Sequence, residues 1–212
     1  MKRKTALFSM IPFILVFSSC IDITQYVRIE QGNMITNTRL VIQKALLVLA
    51  QSYGASSDAS QFTFDAAQIQ EIRKNMPKEY LVSLDGINTD LESGLDISLR
   101  YPPKKAPTLN AGDEAPLFFP YLRGKSLIVD IQTNSSESFD ESNQMAAAIV
   151  SGFKYRLLID TSVLSSPTMA TIYETDTGNS IEATLITYKG FFIVEVSMAY
   201  LLSGKALQLV VE

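Results

Sequence analysis

The sequence predicts an α+β domain with a mainly antiparallel sheet and about three helices. Several short segments alternate apolar and polar residues with period two, which is the pattern of half-buried strands. Many neighbouring segments of this kind are joined by too few residues for a parallel crossover, so most pairings are expected to be antiparallel. Three other segments carry helix capping and stop signals. With 212 residues, the chain is long enough to fold around an apolar core.

The first elements predicted are a hairpin and a helix. Ile21–Glu30 carries β-branched and aromatic residues at period two, Gln31-Gly32-Asn33 is a turn signal, and Ile35–Gln43 is the returning strand. The following run, Lys44–Tyr53, is rich in alanine and leucine and is closed by Gly54, which favours a helix with glycine at its C′ position.

A second helix and two more strands follow. Asp65–Asn75 begins with capping-box spacing at Asp65 and is followed by Pro77, which stops a helix. Tyr80–Leu84 and Leu91–Tyr101 have the composition of strands. These segments add a helix and a strand pair to the predicted hairpin.

The proline-rich residues 102–120, with Gly112, form an irregular connection and the candidate subdomain boundary. Beyond it, Ser138 and Glu141 form a capping box for a third helix that extends to about Ser151. The remaining predicted strands are Ser126–Gln132, Phe153–Asp160, Thr171–Glu174, Ile181–Tyr188, Phe191–Met198 and Ala206–Val211.

The start of the chain has the order of a secretory signal. Lys2-Arg3-Lys4 is basic, Ala6–Phe17 is apolar, and Ser18-Ser19 place two small residues before Cys20, the only cysteine. This pattern resembles the lipobox signal of bacterial lipoproteins, in the relaxed form found in spirochaetes, with Phe17 where leucine is usual.

The lipobox resemblance implies removal of residues 1–19 as a signal peptide and acylation of Cys20. The mature chain, 20–212, is then a single envelope domain, held on the inner or outer membrane and facing the periplasm or the cell surface. Its partner is the membrane, through the acyl chains on Cys20. Since no second cysteine exists, disulfides are excluded.

A broader pattern covers most of the mature chain. Its residues are Cys20-Ile21-Asp22-Ile23 with Gly32, then Asp90–Leu99 and Val194–Leu202. This order resembles the LppM-type lipoprotein domain family, although the tryptophan-containing late hairpin of that family is absent because the chain has no Trp. The resemblance implies an envelope lipoprotein that contacts lipid or glycolipid.

Composition argues against several function classes. The net charge is −4, and the basic residues of the signal leave on cleavage, so counterion release on nucleic acid is not expected. Histidine is absent, which removes the usual general base and the commonest metal ligand. No phosphate-binding glycine loop and no G-x-S-x-G elbow occurs. We therefore predict no catalytic residue and no cofactor, and a protein that is not an enzyme.

Metal binding is not predicted either. Asp130, Glu137, Asp140 and Glu141 are the first cluster of acidic residues, and their position before the third helix suits a helix N-terminus. A second group, Asp176 with Asn179 and Glu182, has the composition of a hairpin turn. Neither group matches the EF-hand ligand pattern.

Two enzyme alternatives compete with this prediction. Ser151 and Lys154 have the S-x-x-K spacing of penicillin-recognising enzymes, but the partner motifs are missing and Gly152 separates the two. Four acids around a predicted hairpin offer a carboxylate pair for a hydrolase acting on envelope polymers: Asp85, Asp90, Glu92 and Asp96. The hydrolase remains the alternative function.

One apolar run remains, within the proline-rich connection. Its residues form a candidate binding patch: Leu117, Phe118, Phe119, Tyr121 and Leu122. An aromatic run in a loop either packs into the core or forms a contact surface. The leading function is therefore a non-enzymatic envelope lipoprotein that binds lipid, glycolipid or another envelope protein.

Overall fold

The computed structural model describes residues 21–45, 48, 64, 66–76, 78–107, 118–131, 153–201 and 205–212. Its elements in chain order are β1 (Ile21–Glu30), β2 (Asn33–Gln43), α1 (Ala66–Asn75), β3 (Leu81–Asn88), β4 (Glu92–Tyr101), β5 (Tyr121–Arg123), β6 (Ser126–Ile131), β7 (Lys154–Asp160), β8 (Ala170–Glu174), β9 (Ser180–Glu182), β10 (Thr184–Tyr188), β11 (Phe191–Ser197), α2 (Met198–Leu201) and β12 (Leu207–Val211). Residues 44, 45 and 48 are also helical.

The strands form two sheets. The seven-stranded sheet has the order β10-β11-β7-β1-β2-β4-β3, and the five-stranded sheet has the order β5-β6-β12-β8-β9. Among these pairings only β1 and β7 run parallel, with Asp22 opposite Lys154. The strand that follows Cys20 therefore lies in the interior of the larger sheet, paired on both sides.

The predicted α+β class with about three helices is wrong. Strands hold 58 % of the described residues, and α1 is the one described helix longer than a single turn. Because the two sheets bury their apolar faces in one core, the described part of the sheets does not depend on a helical layer to cover it. Of the predicted helices, the second is confirmed as α1. The first is helical at residues 44, 45 and 48, and the third lies outside the described residues.

The core is one continuous apolar cluster with members from both sheets. Val27 of β1, Leu157 of β7 and Leu209 of β12 are fully buried in it. Side chains from before and after the proline-rich connection 102–120 belong to the same cluster, Tyr101 and Leu127 among them. The two halves of the chain thus share a single core.

The predicted first hairpin is confirmed, with Glu30 opposite Asn33. Its two turn residues both have positive φ, 52° at Gln31 and 77° at Gly32, as a type I′ turn requires. This turn matches the right-handed twist of the strands and sets the register of the whole β1–β2 pair. The polar and apolar alternation along β1 then directs Ile23, Gln25 and Val27 into the core.

Ile181–Tyr188, predicted as one strand, is two strands in different sheets. β9 pairs with β8 in the five-stranded sheet, whereas β10 pairs with β11 in the seven-stranded sheet. The chain crosses between the sheets at Ala183, whose buried N–H donates to the carbonyl of Ala170 at 2.8 Å. A corner of the sandwich lies at this residue.

Candidate functional site at the edge of the larger sheet

Phe118 and Phe119, the centre of the predicted binding patch, are buried in the core. The ring of Phe118 lies 4.9 Å from that of Tyr155, and the ring of Phe119 lies 6.5 Å from that of Tyr101, both edge-on. Tyr121 and Leu122 are partly exposed on β5. Leu117, like the predicted lipidation residue Cys20, lies outside the described residues.

A buried polar network holds this segment against the seven-stranded sheet. Gln25 Nε2 donates to the carbonyl of Phe118 at 2.8 Å and to Thr38 Oγ1 at 2.9 Å, and Gln25 Oε1 accepts from the Tyr155 hydroxyl at 2.6 Å. The hydroxyl of Tyr101 donates to the carbonyl of Pro120 at 2.8 Å. Burial raises the pKa of both tyrosines, so these hydroxyls remain protonated donors. The network satisfies two carbonyls that no strand partner reaches.

The predicted acidic residues lie along the β3–β4 hairpin. Asp85 stands opposite Asp96 in the register, and Asp96 and Glu92 each lie 3.4 Å from the guanidinium of Arg39. Their side chains are well exposed and form a screened surface cluster. Asp90 is exposed in the turn between the two strands.

The remaining chemical candidates are dispersed. Lys154 Nζ lies 2.6 Å from Glu195 Oε2, and Ser151 is outside the described residues. Asn179 Nδ2 contacts Glu174, and Asp130 accepts from Tyr121 and Gln208. Three members of the first acidic group, Glu137, Asp140 and Glu141, lie outside the described residues. Within the described ranges, no three acidic or cysteine side chains come together as a metal site.

A ladder of charges crosses three strands on the outer face of the larger sheet. Arg156 of β7 lies between Asp22 of β1, at 2.7 Å, and Glu195 of β11, at 3.0 Å, and Lys154 contacts the second oxygen of Glu195. The Lys154 ammonium and then the Arg156 guanidinium lower the pKa of the Glu195 carboxyl, against the raising effect of partial burial. The ladder holds β1, β7 and β11 together next to the start of β1.

Acid is expected to weaken this ladder. Because the pKa of Glu195 is lower in the folded than in the unfolded chain, its contribution is present above the unfolded pKa and is lost as the pH falls through the folded pKa. Glu195→Gln should therefore cost roughly 0.5–1 kcal/mol at pH 7 and make the fall in stability toward pH 3 shallower. Urea unfolding at several pH values measures both. Glu182→Gln, at an exposed β9 position, is the control, and equal pH profiles for the two variants contradict the assignment.

The outer edge of β10 differs from the other sheet edges. In the described sheets, β10 pairs with β11 alone, so one side of its backbone has no strand partner. From Thr184 to Tyr188 it carries no charge, no proline and no bulge, the features that usually block a free edge. Four of the five side chains carry a β-branch or an aromatic ring, which suits strand pairing.

The other three edges are short or covered. β5 and β9 have three residues each, too few for an extended ladder. β3 has a register shift between Leu81 and Ser83, and α1 packs against it. Arg73 of that helix donates to the carbonyl of Leu84 at 2.8 Å, which occupies an acceptor of β3. Of the described edges, β10 is the one left open to strand addition.

The peptide groups of β10 point in a known direction. The N–H of Ala183 points away from β11, toward Ala170, and peptide groups two residues apart in a strand point to the same side. Lys189-Gly190 is a two-residue turn, so the residues that flank it, Tyr188 and Phe191, hydrogen-bond to each other. The peptide groups at Tyr188 and at every second residue before it therefore face β11, and those between them face away. Leu185 and Thr187 thus direct their N–H and C=O groups outward.

These groups face a surface cleft of about 520 Å³. One wall is Glu182–Leu185 with Thr187, and the other is the extended segment Pro167–Ala170, at the corner where the two sheets separate. Hydrogen bonds with Glu212 hold Thr168 and Met169 in place on the far wall. The cleft therefore runs beside the outer side of β10, which has no strand partner in the described sheets.

The sequence does not reveal this site, because Ile181–Tyr188 has the composition of one continuous strand. The absence of charge between Ala183 and Tyr188 is visible in the sequence, but any strand in a sheet interior has the same composition. Only the pairing order distinguishes an open edge from an interior strand.

No known protein family, curated protein or solved structure matches the chain. The lipobox and LppM-type resemblances therefore stay predictions. Within the described part of the chain, no helix has the length and apolar character to cross a membrane.

Proposed function

We propose that this protein is a lipid-anchored envelope lipoprotein whose domain binds an extended segment of another envelope protein along β10. The observation that carries the binding role is the open, uncharged edge of β10 beside a cleft. Strand addition to a sheet edge is a common mode of peptide recognition, in which backbone hydrogen bonds supply affinity and alternate side chains supply selectivity.

The residues of the β10 edge indicate the length and composition of the segment that it would bind. Leu185 and Thr187 together offer two donors and two acceptors, which fit about five residues of extended chain. No charged side chain lies between Ala183 and Tyr188, so an uncharged, β-branched segment is the complement of the edge. Met169 on the far wall is exposed and adds apolar contact for a side chain that points into the cleft.

The lipid anchor is supported by the lipobox pattern and by the position of β1. Ile21 begins a strand that is paired on both sides, directly after the predicted acylation residue Cys20. An acylated Cys20 would hold the domain at the membrane without a flexible tether, where it meets other anchored proteins. Nothing in the described residues favours the carboxylate hydrolase, because the acids of the β3–β4 hairpin form a screened surface cluster.

Site-specific photo-cross-linking in intact cells tests the binding role. Benzoylphenylalanine replaces Thr187 in the full chain, and Val82 on the covered β3 edge is the matched control position, since it is also exposed. We expect a discrete adduct with another envelope protein at position 187, and none at position 82. Mass spectrometry of the cross-linked peptide should identify an uncharged segment.

Leu185→Pro then tests strand addition itself. Proline is tolerated at an edge position whose N–H points outward, so pairing with β11 should persist while one donor is lost. The adduct should fall about tenfold, because a lost backbone hydrogen bond of roughly 1–1.5 kcal/mol corresponds to that factor. An undiminished adduct in a folded Leu185→Pro protein, an adduct made of two copies of this chain, or no adduct at all contradicts the proposal.

A further inference from the structure

One end of the seven-stranded sheet carries exposed apolar side chains from three separate connections. We call it the anchor end, and the strand registers place five residues there: Ile21, Gln43, Glu92, Lys154 and Ser197. The twenty residues that precede β1 therefore join the domain at this end. Any anchor on Cys20 brings this end, rather than another part of the surface, to the bilayer.

The three side chains are large and well exposed. Leu91, in the turn between β3 and β4, is 76 % exposed, Val48 beyond the end of β2 is 65 % exposed, and Tyr200 of α2 is 40 % exposed. Scattered exposed apolar residues are ordinary on protein surfaces. Here, however, each belongs to a connection that leaves the sheet at the anchor end.

The turn that presents Leu91 is well supported. Thr89 accepts from Glu92 N–H through its hydroxyl at 3.0 Å, and its own N–H donates to the carbonyl of Glu92 at 2.9 Å. Lys44 N–H donates to the carbonyl of Leu91 at 2.8 Å, and its ammonium contacts Asn88 at 2.8 Å. Bonds within the turn and from Lys44 thus hold the turn in place, and its exposed position 91 is apolar where polar residues are usual.

We propose that the anchor end inserts Leu91, Val48 and Tyr200 into the lipid interface. The larger sheet then contacts the membrane with this end, and the turn at Lys189-Gly190 points away from the membrane. This inference rests on the lipid anchor of the proposed function, and it adds the orientation and the contact residues. The two residues that flank Leu91, Asp90 and Glu92, are acidic and do not attract anionic headgroups. The contact at Leu91 therefore depends on burial of its apolar side chain. Apolar side chains complement acyl anchoring at such an interface.

The absence of tryptophan from the chain makes a direct test simple, because one introduced Trp is a unique fluorophore. The full-length protein is produced in a bacterial host and reconstituted in phosphatidylcholine vesicles, with or without brominated acyl chains. Leu91→Trp and Val48→Trp probe the anchor end. Tyr188→Trp, at a half-exposed position at the opposite end of the sheet, is the control.

Leu91→Trp and Val48→Trp are expected to shift their emission to the blue on reconstitution. Brominated lipid should quench them at least about twofold, since apolar groups at an interface lie roughly 5–10 Å deep. Tyr188→Trp should show neither change. High salt should leave the quenching of Leu91→Trp unaltered, because the contact is not electrostatic.

Two failures are distinguishable in the same preparation. In the first, intact mass shows an acylated chain that floats with the vesicles, but Leu91→Trp and Val48→Trp are unquenched or Tyr188→Trp is quenched equally. The proposed orientation is then wrong, while the lipid anchor on Cys20 is retained. If the chain is not acylated and does not float, the anchor of the proposed function is wrong and the orientation fails with it.

Discussion

Gln25→Leu is expected to lower the free energy of unfolding by about 4 kcal/mol. Gln25 is 1 % exposed, and its amide bonds to three buried groups, the carbonyl of Phe118 and the hydroxyls of Thr38 and Tyr155. Leucine has a similar volume but no polar atoms. It would leave each of these groups without a partner, at roughly 1–3 kcal/mol per group, offset in part by the added apolar burial. Urea unfolding followed by circular dichroism measures the loss.

Gln208→Leu is the matched control for this change. Gln208 lies on β12 and donates to Asp130 at a solvent-exposed position, so its loss should cost below about 1 kcal/mol. The double variant Gln25→Leu/Tyr155→Phe removes one of the orphaned hydroxyls, and it should lose less stability than the sum of the two single variants. If Gln25→Leu proves no more harmful than Gln208→Leu, the network does not hold the segment at Phe118.

Gly94→Ala is expected to cost about 3 kcal/mol, because a β-carbon there would overlap backbone. Gly94 of β4 faces β2, and the added methyl group would fall on the carbonyl oxygen of Leu40, with Val41 Cα at 3.0 Å. Neither atom belongs to a side chain that can rotate away. The β2–β4 pair would have to separate locally, and overpacking of this kind typically costs 1–3 kcal/mol. Thermal and urea unfolding of the variant check the value.

Gly86→Ala provides the comparison, since Gly86 lies one strand away on β3. Its added methyl group would meet the terminal carbon of Ile69, the far end of a flexible side chain on α1. Ile69 can adopt another rotamer, so the change should stay below about 1 kcal/mol. Equal losses at the two glycines would mean that β2 and β4 approach each other less closely than described.

Local pattern was sufficient for most of the strands. Phe153–Asp160 was predicted and β7 spans Lys154–Asp160, and Asp65–Asn75 was predicted and α1 spans Ala66–Asn75. The hairpin at Gln31-Gly32 was also confirmed. In each case the alternation, the cap or the turn residue lies within a few positions of the element that it specifies, so no distant contact is needed.

Distant contacts decided the rest. The composition of a segment can favour a helix without showing how many helices cover the core. Here the apolar faces of the two sheets are buried in one core, and the predicted α+β class is therefore wrong. The aromatic run in the proline-rich connection is compatible, from the sequence alone, with either core or surface. The ring of Phe118 is buried against Tyr155, and its carbonyl accepts a hydrogen bond from Gln25, 93 residues earlier. A side chain so far away along the chain leaves no local signal.

The sequence by itself determined the periodicity of the strands, the first turn, the helix α1 and the candidate anchor at Cys20, because each depends on residues that are neighbours along the chain. Tertiary structure alone decided that the chain crosses between sheets at Ala183 and that one side of β10 has no strand partner in the described sheets. It also decided that the connections carrying Leu91, Val48 and Tyr200 leave the sheet at the end where Ile21 begins. Edges and ends are properties of strand order, and strand order results from pairings between residues that are far apart in sequence.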